Sequence, residues 1–417
     1  MTLKKMFRDD YIFSLFAKIL SVAIGMVYTI LYSRYLGSEL RGVASVILNY
    51  ADIIMLILCF GIYQSYPYFR RNKTASYTQY VNNILALFLL YLAIAIVVVL
   101  SFGITSQVAI VAILVPVMMA TRQFYYLVMI ERPKLKNLYS ILIEVFDVLF
   151  VAVLLLFTEA NYLICILFLI LKNTVALIIS FANLRVKPRD IHPTFKGMMP
   201  ALRYGIIPMI TLMLMEVNYK IAIIMLEWFS VPNKDIGVYS LGIMLAQKLW
   251  IIPDALKDVL TSKLSKGKSV EEVCRITRIS LWAVTACVAV VLTIGRPMIP
   301  LIFGQEYSGA YAVFLSIMVG IIGMVFYKMI YAYNVVNGRR KNNFICLCLT
   351  CITSVVLNCF TIPQYGILGA GVATTISYTL CGICFLVDFC KITGSRPATL
   401  LLIQKEDLQL LKKILRR

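Results

Sequence analysis

Apolar runs of about 20 residues recur from one end of this chain to the other, each long enough to cross a hydrocarbon core about 30 Å thick. Inside lipid every backbone N–H and C=O must be satisfied by the segment itself, so such runs become helices. Soluble proteins carry about 25% charged residues; this chain carries 14%, with 61% hydrophobic residues and a mean hydropathy of +0.87. The pattern predicts an all-α integral membrane protein with spans near 10–36, 42–69, 82–103, 107–131, 139–158, 161–183, 203–228, 236–257, 275–295, 309–336, 343–361 and 368–390. The run after Met1–Asp10 continues for a full span without a small-residue cleavage site, so it reads as a first span rather than a cleaved signal.

A net charge of +20 would suggest nucleic acid in a soluble protein. Here position decides otherwise. Of the 40 Lys and Arg residues, thirty fall at the N-terminus, in alternate connections and in the tail; four fall in the other connections and six inside spans. That bias places both termini in the cytoplasm and directs the basic surface toward an anionic inner leaflet.

The outer connections are too short to form a domain. The longest hydrophilic pieces are 183–203 and 257–278, and the first divides the chain into two sets of six spans. The expected organisation is an N-terminal six-helix lobe (1–190), a linker (191–202), a C-terminal six-helix lobe (203–392) and a tail (393–417). In the tail, Leu408, Leu411 and Leu415 share a helical face beside Lys412, Lys413, Arg416 and Arg417, which reads as an interfacial helix. Gly42-Val43-x-Ser45 answers Gly237-Val238-x-Ser240 at the start of the second span of each half. Both halves begin on one side with six spans, so the repeat is parallel, and two such lobes would enclose a central cavity.

The segments "SRYLGSELRGVAS" (33–45), "NKDIGVYSLGIML" (233–245), "IFGQEYSGAY" (302–311) and "IPQYGILGAGVATTISY" (362–378) resemble recurring segments of polysaccharide-unit flippases. These form the Wzx-type branch of the MATE-like multidrug/oligosaccharidyl-lipid/polysaccharide exporter superfamily, which also holds multidrug exporters and the lipid II flippase. Twelve spans match the oligosaccharide branch; the lipid II flippase has two more. The resemblance implies alternating-access export of undecaprenyl-pyrophosphate-linked sugar units across a bacterial plasma membrane, for capsule, O-antigen or another surface polymer. Polymerase and chain-length machinery would be partners. One departure is visible: many relatives carry Asp before the basic residue of the seventh span, where this chain has Asn218 two before Lys220.

Six basic residues lie within spans: Lys18, Arg122, Lys172, Lys220, Lys248 and Lys328. Each costs about 2.5–3.5 kcal/mol near a helix centre, so each is a candidate for a wet, cationic cavity. Lys172 and Lys248 fall near mid-span with no acid within a helical turn. Such cations suit an anionic cargo, because Arg grips phosphate bidentately and Lys acts as a point charge. Tyrosines, among them Tyr28, Tyr32, Tyr63, Tyr66, Tyr125, Tyr126, Tyr327, Tyr331 and Tyr333, with Asn49, Asn334 and Gln247, would line a sugar path. The competing reading is structural: Glu216 can pair with Lys220 four residues on, Glu144 and Asp147 could neutralise Lys18 or Arg122, and Lys18 and Lys328 could snorkel. Asp52, Glu144, Asp147 and Glu216 are also candidate carriers of an exchanged H+ or Na+. Pro116, Pro208 and Pro253 would bend spans four, seven and eight.

No metal or organic cofactor is expected. The pairs Cys348-x-x-Cys351 and Cys381-x-x-Cys384 have metal-like spacing in apolar surroundings, and the one His, His192, sits in the linker. No P-loop glycine motif is present, and short outer loops leave little room for membrane-enzyme chemistry. A MATE-like small-molecule antiporter, a flippase for teichoic acid or peptidoglycan precursors, and a scaffold without transport stay open as alternatives.

Overall fold

The computed structural model describes residues 10–72, 76–184, 186–264, 270–404 and 407. The chain forms two compact units, Met1–Glu216 and Val217–Arg417. The boundary falls inside a helix rather than in the hydrophilic linker.

In the first unit, α1 (Asp10–Leu58) holds two spans joined at one residue. Gly37 has φ 68° and ψ 176°, a conformation open to glycine and strained for a residue with a Cβ. Across that turn Arg41 donates to Ser33 Oγ at 2.6 Å, and both side chains are buried. The expected loop after residue 36 is therefore helix on both sides of a single glycine. After a second break at Phe60–Gly61, α2 (Ile62–Arg71) completes the second span.

Helices α3 (Tyr77–Phe102), α4 (Gln107–Glu131), α5 (Pro133–Phe157) and α6 (Tyr162–Ala182) follow. The starts of α3, α4 and α6 are capped by Ser76, Ser106 and Asn161, whose side chains accept from the N–H of Gln79, Ala109 and Ile164. Helix α5 starts with proline at its first position, where no N–H is needed. The linker is tied to α3: Asn82 Nδ2 donates to the Asp190 carbonyl at 3.1 Å, and the His192 N–H donates to Asn82 Oδ1 at 3.0 Å. That tether, and packing of the early part of the next helix, keep residues up to 216 with the first unit.

Helix α7 (Met198–Trp228) spans the boundary. Then come α8 (Asn233–Lys248) and α9 (Ile251–Leu264), bent by 42° between them, α10 (Val270–Phe303), α11 (Ala310–Val336), α12 (Arg340–Thr393) and the short α13 (Pro397–Leu401). Helix α12 breaks at Gly366 (φ 55°, ψ −131°) into two spans, stapled by Thr361 Oγ1 donating to the Gly369 carbonyl at 2.9 Å. Helices α11 and α12 meet through Gly323 and Gly382, where backbones touch as small residues allow in membranes. With the breaks at Gly37 and Gly366 counted, the second half of α1 joined to α2 and α8 joined to α9, the described residues make twelve helical segments, the number of spans expected from hydropathy. The tail is held to α10 by Arg278 and Asp407. The interfacial helix expected around Leu408, Leu411 and Leu415 lies outside the described residues.

A candidate anion-binding cavity in the first unit

Met118, Thr121, Arg122, Tyr125, Tyr126 and Met129 are spaced by three and four, which puts them on one face of α4. That face lines a cavity of about 500 Å3, closed by Met55 of α1, Tyr63 of α2, Asn173 of α6 and Leu212 of α7. Arg122 is its charged group. Tyr63 lines the same cavity, and its ring meets Tyr126 edge-on at 4.9 Å. Glu216 of α7 approaches, with Arg122 Nη2 3.9 Å from its Oε1. A charge-assisted hydrogen bond closes to about 2.7–2.9 Å, so Glu216 offsets the charge without capturing those donors. A guanidinium carries five N–H groups, and one held this way can still grip an oxyanion.

The other intramembrane cations behave differently. Lys172 of α6 has no acid within a helical turn in the sequence; the fold supplies one from α5. Its Nζ lies 2.7 Å from Asp147 Oδ2 and 4.1 Å above the Tyr28 ring centroid. The physical reason is register between neighbouring helices, which a search within one helical turn does not reach. Asp147 therefore pairs with Lys172, and the acid near Arg122 is Glu216. The backbone of Lys18 is helical, and its side chain lies outside those described. Glu144, one turn before Asp147, accepts from Ser21 Oγ at 3.1 Å and sits over Gly25. Asp52 is half-buried on the second span.

In the second unit, Lys328 of α11 donates to both oxygens of Asp254 of α9, at 2.8 and 3.0 Å, and lies 4.6 Å above the Trp250 ring. Snorkelling was the expected structural role for Lys328; a buried pair takes its place. Lys220 of α7 is half-buried. Lys248 is half-buried in the last turn of α8, and among the described residues no carboxylate pairs with it. Among the described side chains, Arg122 is an intramembrane cation that lines a cavity.

The tyrosines divide in the same way. Tyr63, Tyr125 and Tyr126 line the cavity, whereas Tyr66 and Tyr327 are core residues; Tyr66 donates to Glu131 and Tyr327 packs edge-on against Phe385. Asn334 is fully buried and donates to Asn343 Oδ1 at 2.8 Å, so it is structural as well. Met55, Met118, Met129, Thr121 and Asn173 are lining residues that charge and aromatic content did not single out. The three- and four-residue spacing around Arg122 was the signal that could have found those on α4.

No family model and no curated protein matches the chain. Among solved structures it is similar to the lipid II flippase MurJ in an inward closed conformation, at 13% identity over 97% of this chain and 95% of that one, with a TM-score of 0.68. It is similar to a multidrug resistance MATE family transporter of the MOP superfamily in an inward-facing conformation, at 13% identity over 90% and 98% of the two chains (TM-score 0.64). The Vibrio cholerae MATE transporter VcmN is a third, at 12% identity over 94% and 98% (TM-score 0.61). The chain is an all-α, multi-pass membrane protein with a MATE-like fold.

Proposed function

We propose that this chain is a flippase that moves an undecaprenyl-pyrophosphate-linked oligosaccharide from the inner to the outer leaflet of a bacterial plasma membrane by alternating access. The product feeds synthesis of a surface polysaccharide such as capsule or O-antigen, in company with a polymerase and chain-length machinery. What carries this reading is the Arg122 cavity: a guanidinium with donors left over, set among tyrosine, threonine and asparagine. Pyrophosphate oxygens match a bidentate guanidinium, and sugars match tyrosine faces and amide groups. With both termini cytoplasmic, as the lysine and arginine bias implies, a cargo anion leaves an interior-negative cell downhill by about 2.3 kcal/mol per charge per 100 mV. If H+ or Na+ is exchanged as well, Asp52, Glu144 and Glu216 are the acids to test, since Asp147 is taken by Lys172.

One observation favours a second reading, a MATE-like antiporter of small acidic molecules. About 500 Å3 suits a single small ligand better than a whole repeat unit. Deleting the gene separates the two. The flippase reading requires lipid-linked repeat units to accumulate on the cytoplasmic leaflet, with recovery by the wild-type chain and not by Arg122→Ala at equal protein level. Unchanged lipid-linked intermediates in the deletion strain would remove it and leave the antiporter.

A further inference from the structure

The acid that Lys172 meets is an unusual partner. Asp147 is 4% exposed, and while its Oδ2 takes the Lys172 ammonium, its Oδ1 is buried with no hydrogen-bond partner among the described residues. A carboxylate and a guanidinium can close two bonds together; a lysine closes one here and leaves the second oxygen facing inward. On the other side of the ammonium lies the Tyr28 ring, presenting its negative face to the charge. One turn earlier on α5, Glu144 sits against Ser21 and Gly25 of α1. The partly exposed ammonium is thus flanked by a buried carboxylate and a π face, with Glu144 one turn along α5 from that carboxylate. A carboxylate oxygen and an aromatic face are groups that can hold a small monovalent cation.

We propose that Lys172 is a resident counter-ion: its ammonium fills a monovalent-cation site built by Asp147, Tyr28 and the α1–α5 contact, and so closes that site to ions from solution. The proposal goes beyond the cargo reading and does not depend on it, since Arg122 and its cavity are untouched. Two consequences follow. The wild-type chain has no use for an inorganic cation at Asp147. A chain that keeps Asp147 and loses the ammonium must recruit one, either Na+ or a proton on the carboxylate.

The test uses the full chain in detergent, with thermal melting followed in sodium chloride against choline chloride at matched ionic strength, each at mildly acidic and at alkaline pH. Besides Asp147, the titratable or charged groups at this place are Lys172 and Cys165 on α6, Glu144 on α5, and Tyr28 and Arg41 on α1; the Lys18 side chain lies outside those described. A control that removes Asp147 is therefore needed. Wild type is expected to melt alike in both salts. K172M is expected to melt higher in sodium than in choline at alkaline pH, by on the order of a few degrees, and to gain stability on acidification. Both dependences should vanish in K172M/D147N.

A wild-type melting point that depends on sodium and loses that dependence in D147N overturns the proposal, because the site is then open. So does a K172M that ignores both sodium and pH. Should K172M fold only in sodium or at acidic pH, the same prediction is met at the level of yield. Should it fail under every condition while K172M/D147N folds, no external cation replaces the ammonium and the proposal is wrong.

Discussion

Arg278 of α10 grips Asp407 with two parallel bonds, Nε to Oδ2 at 2.7 Å and Nη2 to Oδ1 at 3.1 Å, and both side chains are buried. Its remaining nitrogen, Nη1, donates to the Thr399 carbonyl at 2.5 Å, and Trp282 one turn on donates to the Leu401 carbonyl at 2.9 Å. The tail is therefore fastened to α10 at Thr399, Leu401 and Asp407.

Losing the Asp407 charge should release the tail. Breaking a buried pair by removing one partner costs about 3 kcal/mol, so Asp407→Asn should raise the rate of tryptic release of the C-terminal residues on the order of 100-fold. Helix melting should be nearly unchanged, because the spans do not depend on the latch. Release at the wild-type rate would show that the pair is not what holds the tail.

The same pair fixes a pH window. Burial alone would raise the Asp407 carboxyl, but the Arg278 hydrogen bonds, the Gln404 N–H and the charges of Arg278 and Arg275 outweigh it and hold the group below the usual carboxylate range. A carboxyl depressed on folding contributes stability that is full above its unfolded value, about 3.9, and is lost as pH falls through the folded value. Protection of the tail from proteolysis should hold from neutral pH down to about 4 and fail only below it. An acid-stable protease reads this directly, and loss of protection between pH 5 and 7 would contradict it.

Lys328 and Asp254 should respond unequally to mutation. Asp254→Asn strips the carboxylate from an ammonium whose side chain is 9% exposed, which costs about 3–5 kcal/mol. Lys328→Met leaves Asp254, 33% exposed and 3.4 Å from Lys257, with a second cation, so its cost should be nearer 1 kcal/mol. Melting of the single variants and of the D254N/K328M pair gives the cycle. Equal costs would mean that Lys257 does not share the acid.

How far these features are legible from residues alone depends on how local they are. The spans announce themselves because hydropathy is a property of a run, and the single-residue joint at Gly37 hides only because helix resumes at once on either side. Arg122 and its tyrosines are legible because one helix carries most of the cavity face. The Asp147–Lys172 and Lys328–Asp254 pairs are not, since their partners sit on different helices and register between helices is set by packing. Glu216 shows the same limit: its approach to Arg122 of α4, at 3.9 Å, joins two helices and has no trace in local spacing.

Two glycines with positive φ should separate backbone strain from crowding. At Gly366 (φ 55°) a Cβ would meet nothing within 4 Å, so Gly366→Ala costs only conformational strain, about 1–3 kcal/mol. At Gly61 (φ 65°) the strain is similar, but a Cβ would run into the carbonyl of Gly205, and it would also press on Met209. Backbone cannot step aside as a flexible side chain can, and a second helix would have to move with it. Gly61→Ala should therefore lower the melting point well beyond Gly366→Ala, while Gly205→Ala, which meets the Gly61 carbonyl from the opposite side, should resemble it. Melting of the three variants decides the matter. Equal shifts for Gly61→Ala and Gly366→Ala would mean that α2 and α7 do not touch there in solution.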